Sequence, residues 1–396
     1  MIRKISENLY YTGVNDRAKA MFENLWELPQ GVSYNSYLLI DEKIALFDTV
    51  DSAFSTVFFQ QLDEVLNGKS IDYLIINHME PDHSGLISEL RNRFPEIQIV
   101  GNARTADMLN GYYNITENLH IIKDGDEINL GKHCLKFVLT PMIHWPETMM
   151  TYETTTKTLF SGDAFGSFGA LDGGIKDSQL NADRYWDEMI RYYSNIVGKY
   201  GSPVQKALAR LSALEIGAIC STHGPVWVEK ENVDKALALT DRLSRYETER
   251  GVVIVYGTMY GHTEQIAEEI AARLSDAGIK NIVIHNVTKS EPTYIIRDVF
   301  KYKGLIVGSP TYNNQLFPKI DSLLSQIRHR DIKNRVFAYF GSFTWAGAAV
   351  KRLAAFAEES GFETINATVE LKQSQYRDTE QDIEMLVKTM VEALES

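Results

Sequence analysis

Short apolar runs rich in β-branched and aromatic residues punctuate this chain, separated by segments whose apolar positions fall at helical spacing. The first third reads as paired strands: YNSYLLI, a glycine-free turn at Asp41-Glu42-Lys43, then IALFDTV. Strand–helix alternation follows, with a helix around 54–66, the strand DYLIIN, a helix around 85–93 and the strand IQIVG. Further strands are predicted at 118–122, 134–139, 148–153 and 158–161, and helices at about 183–198, 203–213 and 231–248. Hairpins first, mixed elements next and helices outside predict two sheets packed together and covered by helices.

The pattern changes near residue 250. ENVDKALALTDRLSRYETER reads as a helix with a charged end, and it runs through Gly251 into VVIVYGT, a run typical of a buried parallel strand. We therefore expect one domain over residues 1–249 and another over 250–396. In the second, strands at 251–256, 282–285, 303–308, 335–340 and 365–369 alternate with helices at 263–276, 291–300, 316–328, 346–358 and 378–394. That regularity predicts an α/β fold with a doubly wound parallel sheet. No internal repeat or low-complexity tract interrupts either half.

Composition narrows the function classes. Apolar residues make up 44% and charged residues 23% of the 396, the proportions of an ordinary globular protein. No apolar run approaches the roughly 20 residues that span a bilayer, and MIRKISENLYYTG lacks the apolar core of a secretory signal. A cytoplasmic protein is expected. The net charge is −13, of which residues from Gly251 onward carry −2 and the first 250 carry −11. So acidic a half argues against nucleic acid as a partner. The two cysteines, Cys134 and Cys220, sit in strand-like contexts and read as buried thiols. With no C-x-x-C pair, these residues cannot build a rubredoxin or cluster iron site.

Candidate chemistry is concentrated where strands end. DYLIIN runs directly into His78-Met79-Glu80-Pro81-Asp82-His83, four potential ligands within six residues. In a strand-to-loop turn, positions 78, 80 and 82 can converge while His83 reaches a second centre. Pro81 restricts Glu80 to an extended backbone. His144 in TPMIHWPE, Asp163 in LFSGDAFG and His223 in ICSTHGP each follow another apolar run. Singly, each is an ordinary loop residue. Together they supply four imidazoles and three carboxylates, enough for two metals sharing Asp163. His120, His133, His262, His285 and His329 fit no ligand pattern.

This spacing resembles the metallo-β-lactamase motif H-x-H-x-D-H with distant His, Asp and His, except that Glu80 replaces the second histidine. A carboxylate there adds charge and hard oxygen, which suits iron better than zinc. The pattern H-x-E-x-D-H resembles that of the flavodiiron proteins (A-type flavoproteins), over essentially the whole chain. The resemblance implies a metallo-β-lactamase-like αββα sandwich fused to a flavodoxin-like domain. It implies one iron on His78, Glu80 and His144, the other on Asp82, His83 and His223, and Asp163 between them. In some members the histidine equivalent to His83 swings away from the metal. By the same analogy Tyr193 lies just outside the ligands, although the sequence alone reads it as an inward-packing helix residue.

The second half has its own constellation. Its first strand ends in Thr258-Met259-Tyr260-Gly261-His262-Thr263, where a helix opens. Hydroxyls, a glycine and a helix N-terminus offer donors to a phosphate. T-x-x-G-x-T resembles the FMN phosphate loop of flavodoxins and matches neither the dinucleotide nor the nucleoside-triphosphate fingerprint. Two further loops leave strand C-termini, where ligands of such sheets bind. They are Ser309-Pro310-Thr311-Tyr312-Asn313-Asn314 and Gly341-Ser342-Phe343-Thr344-Trp345-Ala346-Gly347. Tyr312 and Trp345 either flank an isoalloxazine or merely pack; three loops at the right strands favour one FMN per chain.

The resemblance implies an oxidoreductase that reduces dioxygen to water, nitric oxide to nitrous oxide, or both, with two non-haem irons fed by FMN. It also implies a head-to-tail homodimer or a dimer of dimers. Without a second phosphate loop for NAD(P)H, the expected donor is a rubredoxin, a flavin reductase or a reduced deazaflavin coenzyme. The alternatives are a di-zinc hydrolase with an appended flavodoxin, opposed by Glu80 and the flavin loops, and a plain electron carrier, which would have no use for seven placed ligands.

Overall fold

The computed structural model describes residues 3–395, which divide into two compact units, one ending at Asp241 and the other beginning at Arg242. Among the described residues, the N-terminal unit is built on a seven-stranded and a five-stranded sheet. The larger runs Arg3–Lys4, Leu9–Tyr11, Tyr37–Leu39, Ala45–Phe47, Tyr73–Ile75, Gln98–Gly101, Leu119–Ile121. It is antiparallel through Ala45–Phe47 and parallel thereafter. The smaller runs Glu127–Asn129, Cys134–Leu139, Met149–Glu153, Thr158–Gly162 and Ala218–Ser221, with only the last pair parallel.

Alternation along each strand lets the sheets meet face to face while helices cover the outside. Phe47 of one sheet and Phe160 of the other stack with ring centroids 3.7 Å apart. On the opposite face of the larger sheet, Leu38, Leu46 and Leu74 share a core with Phe58, Leu62 and Leu66 of helix Ser55–Leu66. Those helical positions recur every four residues, and the helix stops where Asn67 takes a left-handed conformation, φ 47°. The result is the expected αββα sandwich.

Three sequence expectations change. A helix, Ala103–Tyr113, stands where none was predicted; it buries only Thr105 and Leu109, so its apolar stripe is faint. The expected helix 183–198 is Asp183–Tyr192 followed by a wide π turn, Tyr193–Val197. Cys134 is half-buried at a strand start, whereas Cys220 is buried.

The C-terminal unit holds one five-stranded parallel sheet in the order Ile282–Asn286, Glu249–Tyr256, Tyr302–Pro310, Val336–Phe343, Glu363–Lys372. Val252, Val253, Ile254 and Val255 are fully buried in succession, because helices cover both faces. The strand order reverses beside Glu249–Tyr256, so that strand's C-terminal end opens a crevice. Among the described residues no helix is long and apolar enough to cross a membrane.

Candidate active site

In the N-terminal unit, all seven candidate ligands lie in loops or turns beyond strand ends. His78 follows Tyr73–Ile75, His144 sits between Cys134–Leu139 and Met149–Glu153, Asp163 follows Thr158–Gly162, and His223 follows Ala218–Ser221. They form two clusters, His78–Glu80–His144–Asp163 and Asp82–His83–His223, whose ligand atoms lie within 4.8 Å of one another in each. Asp163 joins the two. Its Oδ2 is 3.5 Å from His78 Nε2 and 3.2 Å from His144 Nε2, while Oδ1 is 3.2 Å from His83 Nε2 and 3.7 Å from His223 Nε2. Glu80 Oε2 lies 3.2 Å from His78 Nε2 and 3.1 Å from His144 Nε2.

The expectation from spacing that 78, 80 and 82 converge while His83 reaches a second centre is corrected for Asp82, which joins His83 at the second centre. Pro81 opens a one-turn helix, Pro81–Ser84, which breaks the strand alternation and turns Asp82 toward His83 and His223. Asp82 Oδ2 is 3.4 Å from His83 Nε2 and 3.6 Å from His223 Nε2. His83 therefore faces the cluster.

Several residues that the sequence did not reveal hold these ligands in place. Glu147, fully buried, accepts from His78 Nδ1 at 2.8 Å and from the Met79 amide at 2.9 Å. Ser33 O lies 2.7 Å from His223 Nδ1. Asp48 accepts from the Asn77 and His78 amides at 2.8 and 3.2 Å, pinning the strand end. Thr222 Oγ1 donates to Asp163 Oδ1 at 2.6 Å. Tyr193 is buried and lines a small cavity that Asp163 also lines.

The donors fit two cations. Both oxygens of Asp82, and Oδ2 of Asp163, are buried without a hydrogen-bond partner, an arrangement that is costly unless something else fills it. His83 and His223 bring their Nε2 atoms to 3.0 Å, where two lone pairs would repel unless a proton or metal lies between. Electrostatics agree. Burial disfavours charge on His83 and His144, yet the carboxylates beside them hold both up to about 9. Burial likewise opposes ionisation of Asp163, but His78 and His83 keep it well below the usual carboxylate range. Hard oxygens mixed with imidazoles suit iron.

In the C-terminal unit the three predicted loops line a cavity of about 710 Å³, of a size that takes a cofactor. Of the residues predicted to hold FMN, Thr258, Met259, Tyr260, His262, Thr263, Pro310, Thr311, Tyr312, Asn313, Asn314, Ser342, Phe343, Thr344, Trp345 and Ala346 line it. Gly261 and Gly347 shape the loops rather than the wall. Gly261, at φ 91°, opens helix His262–Asp276, and its amide donates to Thr258 Oγ1 at 3.0 Å. Gln373 and Ser374, which the sequence did not single out, complete the lining. Thr311 Oγ1 accepts from the Ala348 and Ala349 amides at 3.0 and 3.1 Å, tying two loops together. Tyr260 and Trp345 are 87% and 88% exposed, large aromatic faces open to solvent. Hydroxyls at a helix N-terminus and open aromatic faces fit a phosphate and a flavin ring.

Comparisons with known proteins match both units. Residues 32–224 match the family described as "ODP family beta lactamase" and residues 254–385 match "Flavodoxin". The chain is 34% identical to an anaerobic nitric oxide reductase flavorubredoxin of Escherichia coli O1:K1 / APEC, over 91% of this chain and 76% of the relative. Rubredoxin oxygen:oxidoreductase from Desulfovibrio gigas superposes with a TM-score of 0.94 at 28% identity, covering 100% of this chain and 99% of that one. The flavodiiron protein of Giardia intestinalis superposes at 0.93 and 25% identity, covering 100% and 98%.

Proposed function

This chain belongs to the flavodiiron proteins, oxidoreductases with FMN and a non-haem di-iron site, and we propose that it reduces dioxygen to water and nitric oxide to nitrous oxide. The observation that carries the reading is Asp163, whose two oxygens face two separate ligand sets. We assign one iron to His78, Glu80 and His144, the other to Asp82, His83 and His223, with Asp163 to both. FMN is assigned to the loops at 258–263, 310–314 and 342–347. We take residues 1–249 and 250–396 as the two functional domains and the cytoplasm as their compartment.

When bound, two ferrous ions and reduced FMN supply four electrons, the number that dioxygen needs to become two waters. The chain's own residues prepare for this. Burial of the ligands keeps bulk water away, Glu147 fixes which nitrogen of His78 faces inward, and Ser33 does the same for His223. By the family resemblance, a separate donor would supply the electrons, and the flavin loops of one copy would lie beside the metal ligands of another in a head-to-tail dimer.

Anaerobic stopped-flow of fully reduced protein against each gas tests the reading: fast flavin oxidation with gas consumption is expected. Stoichiometric zinc with hydrolytic activity on native protein would replace it with the hydrolase alternative. Mixing a flavin-loop variant with an Asp163 variant after reversible dissociation should restore activity if the dimer is head-to-tail.

A further inference from the structure

A small apolar cavity of about 20 Å³ abuts Asp163. Its walls include Ile143, Met189, Val197, Val204, Ala207 and Leu211, and carbon makes nearly all the surface it exposes. This is room for one or two very small molecules. Helix Gly201–Leu211 supplies Val204, Ala207 and Leu211 at helical spacing, and the wide turn Tyr193–Val197 brings Tyr193 and Val197 to the opposite side. Tyr192 and Thr240, whose hydroxyls are buried without a hydrogen-bond partner, also line the cavity.

A second, larger space lies beside the cavity. A groove of about 680 Å³ lies between helices Gly201–Leu211 and Lys230–Ser244, floored by Leu214, Leu237 and Ala238. Leu208 and Leu211 line both the groove and the cavity. Leu211 is buried and Leu208 half-buried, so these two side chains form a wall shared by the two spaces. Rotamer changes of such a side chain take nanoseconds or less.

We infer that the cavity is a holding site for a small uncharged diatomic gas, and that the groove over Leu208 and Leu211 is its way in. Charged ions and larger organic molecules are excluded by the apolar wall and by size. The unpartnered hydroxyls of Tyr192 and Thr240 give a single water a foothold there, which an arriving gas molecule displaces. A gas molecule in the cavity sits next to Asp163, the residue assigned to both metal sites. This inference deepens the proposed function and rests on it for the gas's fate, not for its binding.

Crystals of the holoprotein under xenon pressure test the cavity, with xenon expected between Val204, Ala207 and Leu211. Ala207→Phe should abolish that xenon and, at unchanged iron and FMN content, slow the second-order reaction of reduced protein with dissolved gas about tenfold. Leu208→Ala, which removes the side chain at the mouth, should leave the xenon in place and speed that reaction. No xenon in a protein that consumes gas overturns the holding site alone. Xenon in a protein that consumes neither gas overturns the proposed function and leaves the apolar site standing. Unchanged gas capture in both folded variants overturns the route.

Discussion

His78 Nδ1 and Glu147 Oε1 lie 2.8 Å apart, and neither side chain is exposed to solvent. The same carboxylate oxygen accepts the Met79 amide, so the imidazole and the backbone beside it are held by one group. With Nδ1 carrying the proton, Nε2 is left as the electron-pair donor facing Glu80 and Asp163. Glu147→Ala should therefore weaken iron retention by about 10–100-fold while leaving FMN content unchanged. Competition with a chelator, followed by metal analysis, measures it. Equal retention in the variant would reduce Glu147 to a packing residue.

Asp163→Ala should have a wider effect. Its oxygens point to both clusters, so the loss leaves each under-ligated, whereas Glu147 supports one ligand of one cluster. The variant should lose both irons and gas reduction, yet bind FMN stoichiometrically through a separate unit with its own core. Iron and flavin analysis on the same preparation checks both halves of the statement. Full iron content would mean that Asp163 is not shared.

The strands, the flavin loops and the seven candidate ligands were legible because each ligand directly follows an apolar run, and strand ends in such folds carry function. The grouping of Asp82 with His83 was not, since it depends on a single helical turn beginning at Pro81. Glu147, Ser33 and Asp48 were invisible for another reason: they touch ligands that lie far from them in sequence, and nothing in their own surroundings marks them. Helix Ala103–Tyr113 escaped because its surface is mostly polar, although Asn102, which accepts from the Arg104 and Thr105 amides, is an ordinary start signal. Gln373 and Ser374 sit just past the alternating strand Glu363–Lys372, where pattern alone gives no reason to look for a ligand.

A pH dependence of stability follows from Asp298 in the C-terminal unit. It is buried, Oδ2 lies 2.9 Å from His285 Nε2, and Arg297 Nε donates to Oδ1 at 2.8 Å. His285 in turn is 3.0 Å from Ser290 Oγ. Burial works against ionised Asp298, but His285 and Arg297 outweigh it and hold the carboxyl below its ordinary value. The folded value being the lower one, the stabilisation is complete above the unfolded value and is lost as pH falls through the folded one. Asp298→Asn should cost about 2–3 kcal/mol at neutral pH, as loss of a buried charged hydrogen-bond acceptor does. The difference should shrink as pH falls below the ordinary Asp value of about 3.9 and through the lower folded value. Urea unfolding followed by flavin release, at several pH values, reads it directly; a gap that stayed constant with pH would sink the assignment.

The last prediction concerns where electrons come in. The sequence has one strand–turn–helix phosphate loop, at 258–263, and it lines the flavin cavity, so no second loop of that kind is left for NAD(P)H. With only Cys134 and Cys220, these residues also lack the cysteines for a rubredoxin centre. Electrons should therefore arrive at the flavin edge from a centre outside these residues. Trp345 and Tyr260 stand exposed at the rim of that cavity, where a flavin ring and an incoming donor would both meet them. Trp345→Ala should weaken FMN binding by about tenfold, the loss expected for one stacked aromatic face. With FMN kept saturating, it should also raise the donor concentration needed for half-maximal turnover. NADH alone should drive gas consumption only slowly, and reduced rubredoxin or a reduced deazaflavin should raise the rate by orders of magnitude. An oxygen electrode and a nitric oxide electrode, run with each donor in turn, give the comparison. Rapid turnover of purified protein with NADH and no partner would mean that a pyridine-nucleotide site exists that neither the loops nor their spacing reveals.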